Sequence, residues 1–131
     1  MKNFLSVLFV LMIFSTITFS QSSEEPLYFN AYKLVVREFA TGNEEVRNTD
    51  LTLKLSNTSL ECTTCKSELH WELTSNAYKI TESKFYADAY DTKLKLKCRV
   101  WMKVTSTHSA LIGIEYGKIG VLYYTELITN K

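Results

Sequence analysis

From Lys93 to Val104 every second residue is apolar. Leu94, Leu96, Cys98, Val100, Met102 and Val104 alternate with Lys93, Lys95, Lys97, Arg99, Trp101 and Lys103. A period of two held this long predicts an extended strand with one buried face and one wet face. Leu51, Leu53 and Leu55 alternate with Thr52, Lys54 and Ser56, and Leu69, Trp71 and Leu73 with Glu68, His70, Glu72 and Thr74. Both predict shorter strands of the same kind. Tyr78 to Thr81 and Phe85 to Tyr90 are rich in aromatics and read as further strands.

The end of the chain reads as a hairpin. With Tyr116-Gly117 as its loop, Glu115 faces Lys118, Ile114 faces Ile119, Gly113 faces Gly120, Ile112 faces Val121 and Leu111 faces Leu122. Like meets like at each rung, which fixes a self-consistent register. Both hairpin faces are apolar, so cover is expected on both sides. Tyr28 to Phe39 carries two patterns. Tyr28, Tyr32, Val35, Val36 and Phe39 fit a helical stripe, yet the segment is also aromatic and β-branched. Strand is favoured, since every later element is one. Thr41 to Asp50 is polar and acidic and reads as a loop. The expected architecture is all-β, an antiparallel β-sandwich of about seven to eight strands. The alternative is an α+β fold with an N-terminal helix packed on a curved antiparallel sheet.

The first residues bear on where that domain works. Met1-Lys2-Asn3 is followed by an apolar run from Phe4 to Phe14, and Thr18 and Ser20 are small residues before Gln21. This is the layout of a secretory signal peptide over residues 1–20, cut after Ser20. The run is too short for a bilayer, which takes roughly 20 apolar residues. No transmembrane anchor is expected in the mature chain, residues 21–131, which has the size of one β-rich domain. Without Lys2, basic and acidic side chains balance. That balance argues against a nucleic-acid partner, which calls for a basic excess. Acidic residues predominate up to Glu72 and basic ones after it, so the two halves either pair or present a basic face.

Export also bears on the cysteines, Cys62, Cys65 and Cys98. An odd number allows one internal disulfide and a spare thiol. Cys62-Thr63-Thr64-Cys65 has redox-motif spacing but lacks the βαβ setting of an oxidoreductase. Cys62, Cys65, His70 and Cys98 have the composition of a zinc set, but Cys98 falls on an apolar face and His70 on a polar one. A core disulfide between Cys62 and Cys98 is therefore expected, with Cys65 free or bridging two chains in a disulfide-linked homodimer. No metal or other cofactor is expected. Asn57-Thr58-Ser59 is a glycosylation acceptor in an exported chain.

Candidate chemistry is sparse. His70 and His108 lie outside any nucleophile or metal motif, and no phosphate-binding glycine loop or nucleophile elbow is present, so an enzyme is not expected. The best recognition candidate is the ladder Lys93, Lys95, Lys97, Arg99, Trp101 and Lys103, whose neighbours stand about 6.6–7 Å apart along one strand face. Carboxylates such as Glu68 and Glu72 would reduce it to a solvated face. Tyr86, Tyr90, Tyr116, Tyr123 and Tyr124 suit both recognition and core edges. Gly113 and Gly120 predict a gap on the Leu111/Leu122 face, filled by Trp71 or another core aromatic, or open to a partner's aromatic or a small lipid. The expected function is non-enzymatic binding of an extracellular protein or polyanionic glycan. An extracellular carrier of a small apolar ligand ranks second, because a closed ligand barrel usually needs more chain, and a small secreted enzyme third.

Overall fold

Each alternating segment contributes an antiparallel strand. The computed structural model describes residues 26–65, 69–75, 78–81 (backbone) and 83–128. The leader and its cleavage site lie outside the described residues. Among these residues there are nine strands and no helix: β1 Leu27–Glu38, β2 Glu44–Leu55, β3 Ser59–Cys62, β4 His70–Leu73, β5 Tyr78–Thr81, β6 Lys84–Asp91, β7 Leu96–Val104, β8 Ser109–Glu115 and β9 Ile119–Leu127.

The strands close into a barrel, which corrects the expected sandwich. β1 pairs with both β2 and β9, and β4 pairs with both β3 and β6. β5 also pairs with β6, alongside Lys84–Tyr86, while β4 takes Ala89–Asp91. β4 and β5 thus share one of eight positions around the ring. A sandwich needs two sheets with edges of their own, whereas here the first and last strands hydrogen-bond to each other. An eight-position barrel has an interior just wide enough for side chains to fill. Phe29, Leu53, Leu55, Leu60, Phe85, Met102, Ile112 and Ile114 fill it, each fully buried, with Ala31, Ala87, Ala89 and Ala110 in the narrower places.

β1 is a strand, and its helix-like stripe has a local cause. The register slips between Ala31 and Lys33 against both neighbours. Tyr32 and Lys33 therefore both approach Tyr124 on the outside, while Ala31 and Leu34 pack against the core. A bulge shifts the alternation by one residue, and the shifted pattern imitates a helical repeat.

Four other expectations are corrected. The polar segment Thr41–Asp50 is not all loop, because β2 begins at Glu44, after a turn in which Gly42 has φ 77°. β7 begins at Leu96, not Lys93. The Asp91 carboxylate accepts the N–H groups of Lys93 and Leu94, and Lys95 N–H donates to the Asp91 carbonyl, folding residues 92–95 into a turn. The last hairpin turns through Gly117-Lys118, with Tyr116 N–H bonded to the Ile119 carbonyl. Gly113 consequently faces Leu122, and Gly120 faces Glu115. Gly117, at φ 98°, sits at the first loop position, where a left-handed backbone suits a tight hairpin.

The fourth correction is covalent. The disulfide joins Cys62 to Cys65, with Cα atoms 5.7 Å apart, and Cys98 is the free thiol. β3 and β7 lie three positions apart in the ring, with β4 and β6 between them, so Cys62 meets its near neighbour instead. With Cys65 engaged, the expected intermolecular bridge through it has no thiol to form with. Burial, and then the Asp91 charge, push the Cys98 thiol up to about 12. Non-reducing peptide mapping is expected to recover a Cys62–Cys65 peptide, with Cys98 alkylated slowly at pH 8 in the folded chain and rapidly once it unfolds. Rapid alkylation of the folded chain would contradict this placement.

Candidate functional site on the outer barrel face

Strand register lines up side chains across the barrel as well as along it, and the outer face of β6, β7, β8, β9 and β1 carries three such rows. The first is basic and runs Lys84, Lys103, Leu111, Tyr124, Lys33. The second is apolar and runs Tyr86, Trp101, Gly113, Leu122, Val35, reaching Val46 on β2. The third runs Asp88, Arg99, Glu115, Gly120, Arg37, Glu44, so its charges alternate in sign. Arg99 Nε lies 4.0 Å from Asp88 Oδ1, and Arg37 Nε donates to Glu44 Oε2 at 2.6 Å. With three carboxylates to two guanidinium groups, this row carries no excess of positive charge.

The cations of the basic row are held differently. Lys84 Nζ lies 4.6 Å from the centre of the Trp101 ring and 5.4 Å from that of Tyr86. Lys33 Nζ sits 4.5 Å from the Tyr124 ring. Such contacts at exposed sites are worth about 0.5–1 kcal/mol each and leave the charge unneutralised.

The apolar row forms a groove of about 240 Å³, lined by Val35, Phe39, Trp101 and Leu122, with Lys84, Arg37 and Glu115 as its charged lining residues. Its floor follows from the two glycines. The Trp101 ring lies where a Cβ of Gly113 would be, and the Phe39 ring covers Gly120. A strand glycine leaves bare backbone, and an aromatic from a neighbouring strand covers it. The gap expected at these glycines is thus filled by two outer-face aromatics, and Trp71 is not one of them.

Only part of the expected ladder survives as a face. Lys97, Arg99, Trp101 and Lys103 point outward along β7, whereas Lys93 and Lys95 sit in the preceding turn. Arg99 is opposed by Asp88 and Glu115, and Glu72 is not beside it. Glu68 lies outside the described residues. Asn57 occupies the β2–β3 turn, closed by Ser56 N–H to the Ser59 carbonyl. Its Oδ1 is buried with no hydrogen-bond partner among the described residues. His70 Nδ1 lies 3.5 Å from Glu61 Oε1, and His108 Nδ1 lies 3.1 Å from Thr107 Oγ1.

A second cluster closes one end of the barrel. Asp91 Oδ2 accepts from Tyr116 OH at 2.6 Å and Trp71 Nε1 at 3.1 Å, while Oδ1 accepts the two turn N–H groups at 2.9 Å. Burial and the bond to Asp91 push the Tyr116 phenol far above its ordinary range. Burial, then the Asp91 charge, push Tyr123 up to about 12. Both Asp91 oxygens are thus engaged by donors of the chain itself, which suits a structural lock. The sequence hint was slight: Asp91 continues the inward parity of Phe85, Ala87 and Ala89. Comparison of the chain with protein families, with characterised proteins and with solved structures finds no match.

Proposed function

We propose that the protein is a secreted, non-enzymatic binding module that holds a sulfated glycan along the outer face of β6 to β9 and β1. The observation that carries this reading is the basic row of Lys84, Lys103 and Lys33 beside the Trp101 groove. Two of these ammonium groups rest on aromatic rings and keep their charge for an anion, while the groove offers apolar surface beside them. The chain is nearly neutral overall, so attraction is local and short-ranged. Carriage of an apolar ligand is less favoured, because side chains occupy the barrel interior.

Retention on a sulfated-glycan column tests the reading. The wild type is expected to bind at low salt and to elute as salt rises. Lys84→Glu/Lys103→Glu should bind about tenfold more weakly, equivalent to roughly 1.4 kcal/mol. Lys93→Glu/Lys95→Glu, confined to the turn, should elute close to the wild type. Coelution of the Lys84/Lys103 pair with the wild type would overturn the assignment.

A further inference from the structure

β2 is paired along only part of its outer edge. Its residues Leu53–Leu55 pair with β3, and Thr52 is held through Thr63 N–H and the Thr64 hydroxyl. Among the described residues, the stretch from Glu44 to Leu51 pairs with β1 alone. Glu44 to Asn48 are exposed, and Val46, at 56% exposure, is the most exposed large hydrophobic residue described. A free strand edge is a template for another strand.

We propose that this edge pairs antiparallel with the same edge of a second copy, about a two-fold axis at Val46. Which backbone groups are available follows from β1. Glu38 N–H bonds to the Asn43 carbonyl, so the odd residues 43, 45 and 47 direct their backbone groups to β1. The groups of Glu44, Val46 and Asn48 therefore face outward. A self-pair centred on Val46 sets Val46 against Val46 and Glu44 against Asn48, and all these residues have outward backbone groups. It also sets Glu45 opposite Arg47 twice, at the close, non-hydrogen-bonded positions where side chains interact most.

Neighbouring registers lack this match. Centring on Glu45 opposes two carboxylates, and centring on Arg47 opposes two guanidinium groups. Within one chain Arg47 already reaches Glu45, with Nε 2.8 Å from Oε2, and both side chains are more than half exposed. The pairing joins two such pairs into a ring of four alternating charges. It also makes the apolar row continuous, because Val46 is the last member of the row through Val35, Leu122 and Trp101. Edge charges usually keep strands apart, but these are self-complementary in one register.

Sedimentation of the folded chain tests this, with circular dichroism to confirm that each variant keeps its strands. The wild type is expected at twice the chain mass. Glu45→Arg and Arg47→Glu should each sediment at the single-chain mass, since each puts like charges across the axis. Mixing these two variants should restore the doubled mass, and the double exchange Glu45→Arg/Arg47→Glu should restore it in one chain. A wild type that stays single at millimolar concentration would overturn the proposal. So would single reversals that remain double, which would place any self-association or other partner elsewhere.

Discussion

Replacing Asp91 with alanine is expected to lower the unfolding free energy by about 2–4 kcal/mol. Its carboxylate serves two structures at once, the barrel interior through Trp71 and Tyr116 and the β6–β7 turn through two N–H groups. Each buried donor left without an acceptor costs about 1–3 kcal/mol. The total stays below the sum because Trp71 Nε1 also reaches Tyr116 OH, at 2.9 Å, and keeps a partner. Turn amides nearer the surface recover water. Asp91→Asn retains one acceptor oxygen and should lose about half as much. The urea midpoint decides, provided the denaturant slope is unchanged. An Asp91→Ala shift under about 1 kcal/mol would show that the cluster is not a lock.

Gly113→Val should cost about 1–3 kcal/mol and also weaken glycan retention, by less than the Lys84/Lys103 pair does. A Cβ at Gly113 would fall among the ring atoms of Trp101, 2.5 Å from Cζ2. The ring must leave the sheet, so cover is lost and the groove loses a wall. Overpacking a filled site costs in this range. The bound on the other side is instructive, since valine favours strands and an unfilled gap would make the change neutral or stabilising. Gly120→Ala is the control. Its Cβ would meet the tip of Phe39, 2.7 Å away, on a side chain that is 45% exposed and able to swing aside. Thermal melting and tryptophan emission separate the outcomes. A Gly113→Val chain with unchanged melting and retention would refute the packing described here.

Period-two alternation made most strands legible because each has one wet face and one dry face. Leu96–Val104 is the plainest example. The first half of β2 escaped because residues 44–48 are exposed, leaving no apolar period to read in TGNEEVRNTD. Closure into a barrel was equally hidden. It depends on β1 meeting β9 and β4 meeting β6, and no local pattern encodes those pairings. The disulfide went astray for the same reason, since shared inward parity of Cys62 and Cys98 does not make their strands neighbours. Trp101 was visible as a candidate, but its partners were sought along β7. The rows run across the sheet, so Lys84, Lys103 and Lys33 become a set only once the register is known.

β1 and β9 lie side by side, and Ile128 N–H donates to the Tyr28 carbonyl, so the ring is fastened where the first and last described strands meet. Nearly every other seam joins strands adjacent in sequence. Those zip through short turns, but the clasp spans about a hundred residues. Relative to a four-residue turn, closing it costs about 3 kcal/mol more chain entropy, by the logarithmic length dependence. That cost is offset only when Phe29 on one side and Tyr123 on the other are enclosed together. The clasp is thus expected to shut late in folding, and the barrel interior to dry in a single cooperative step.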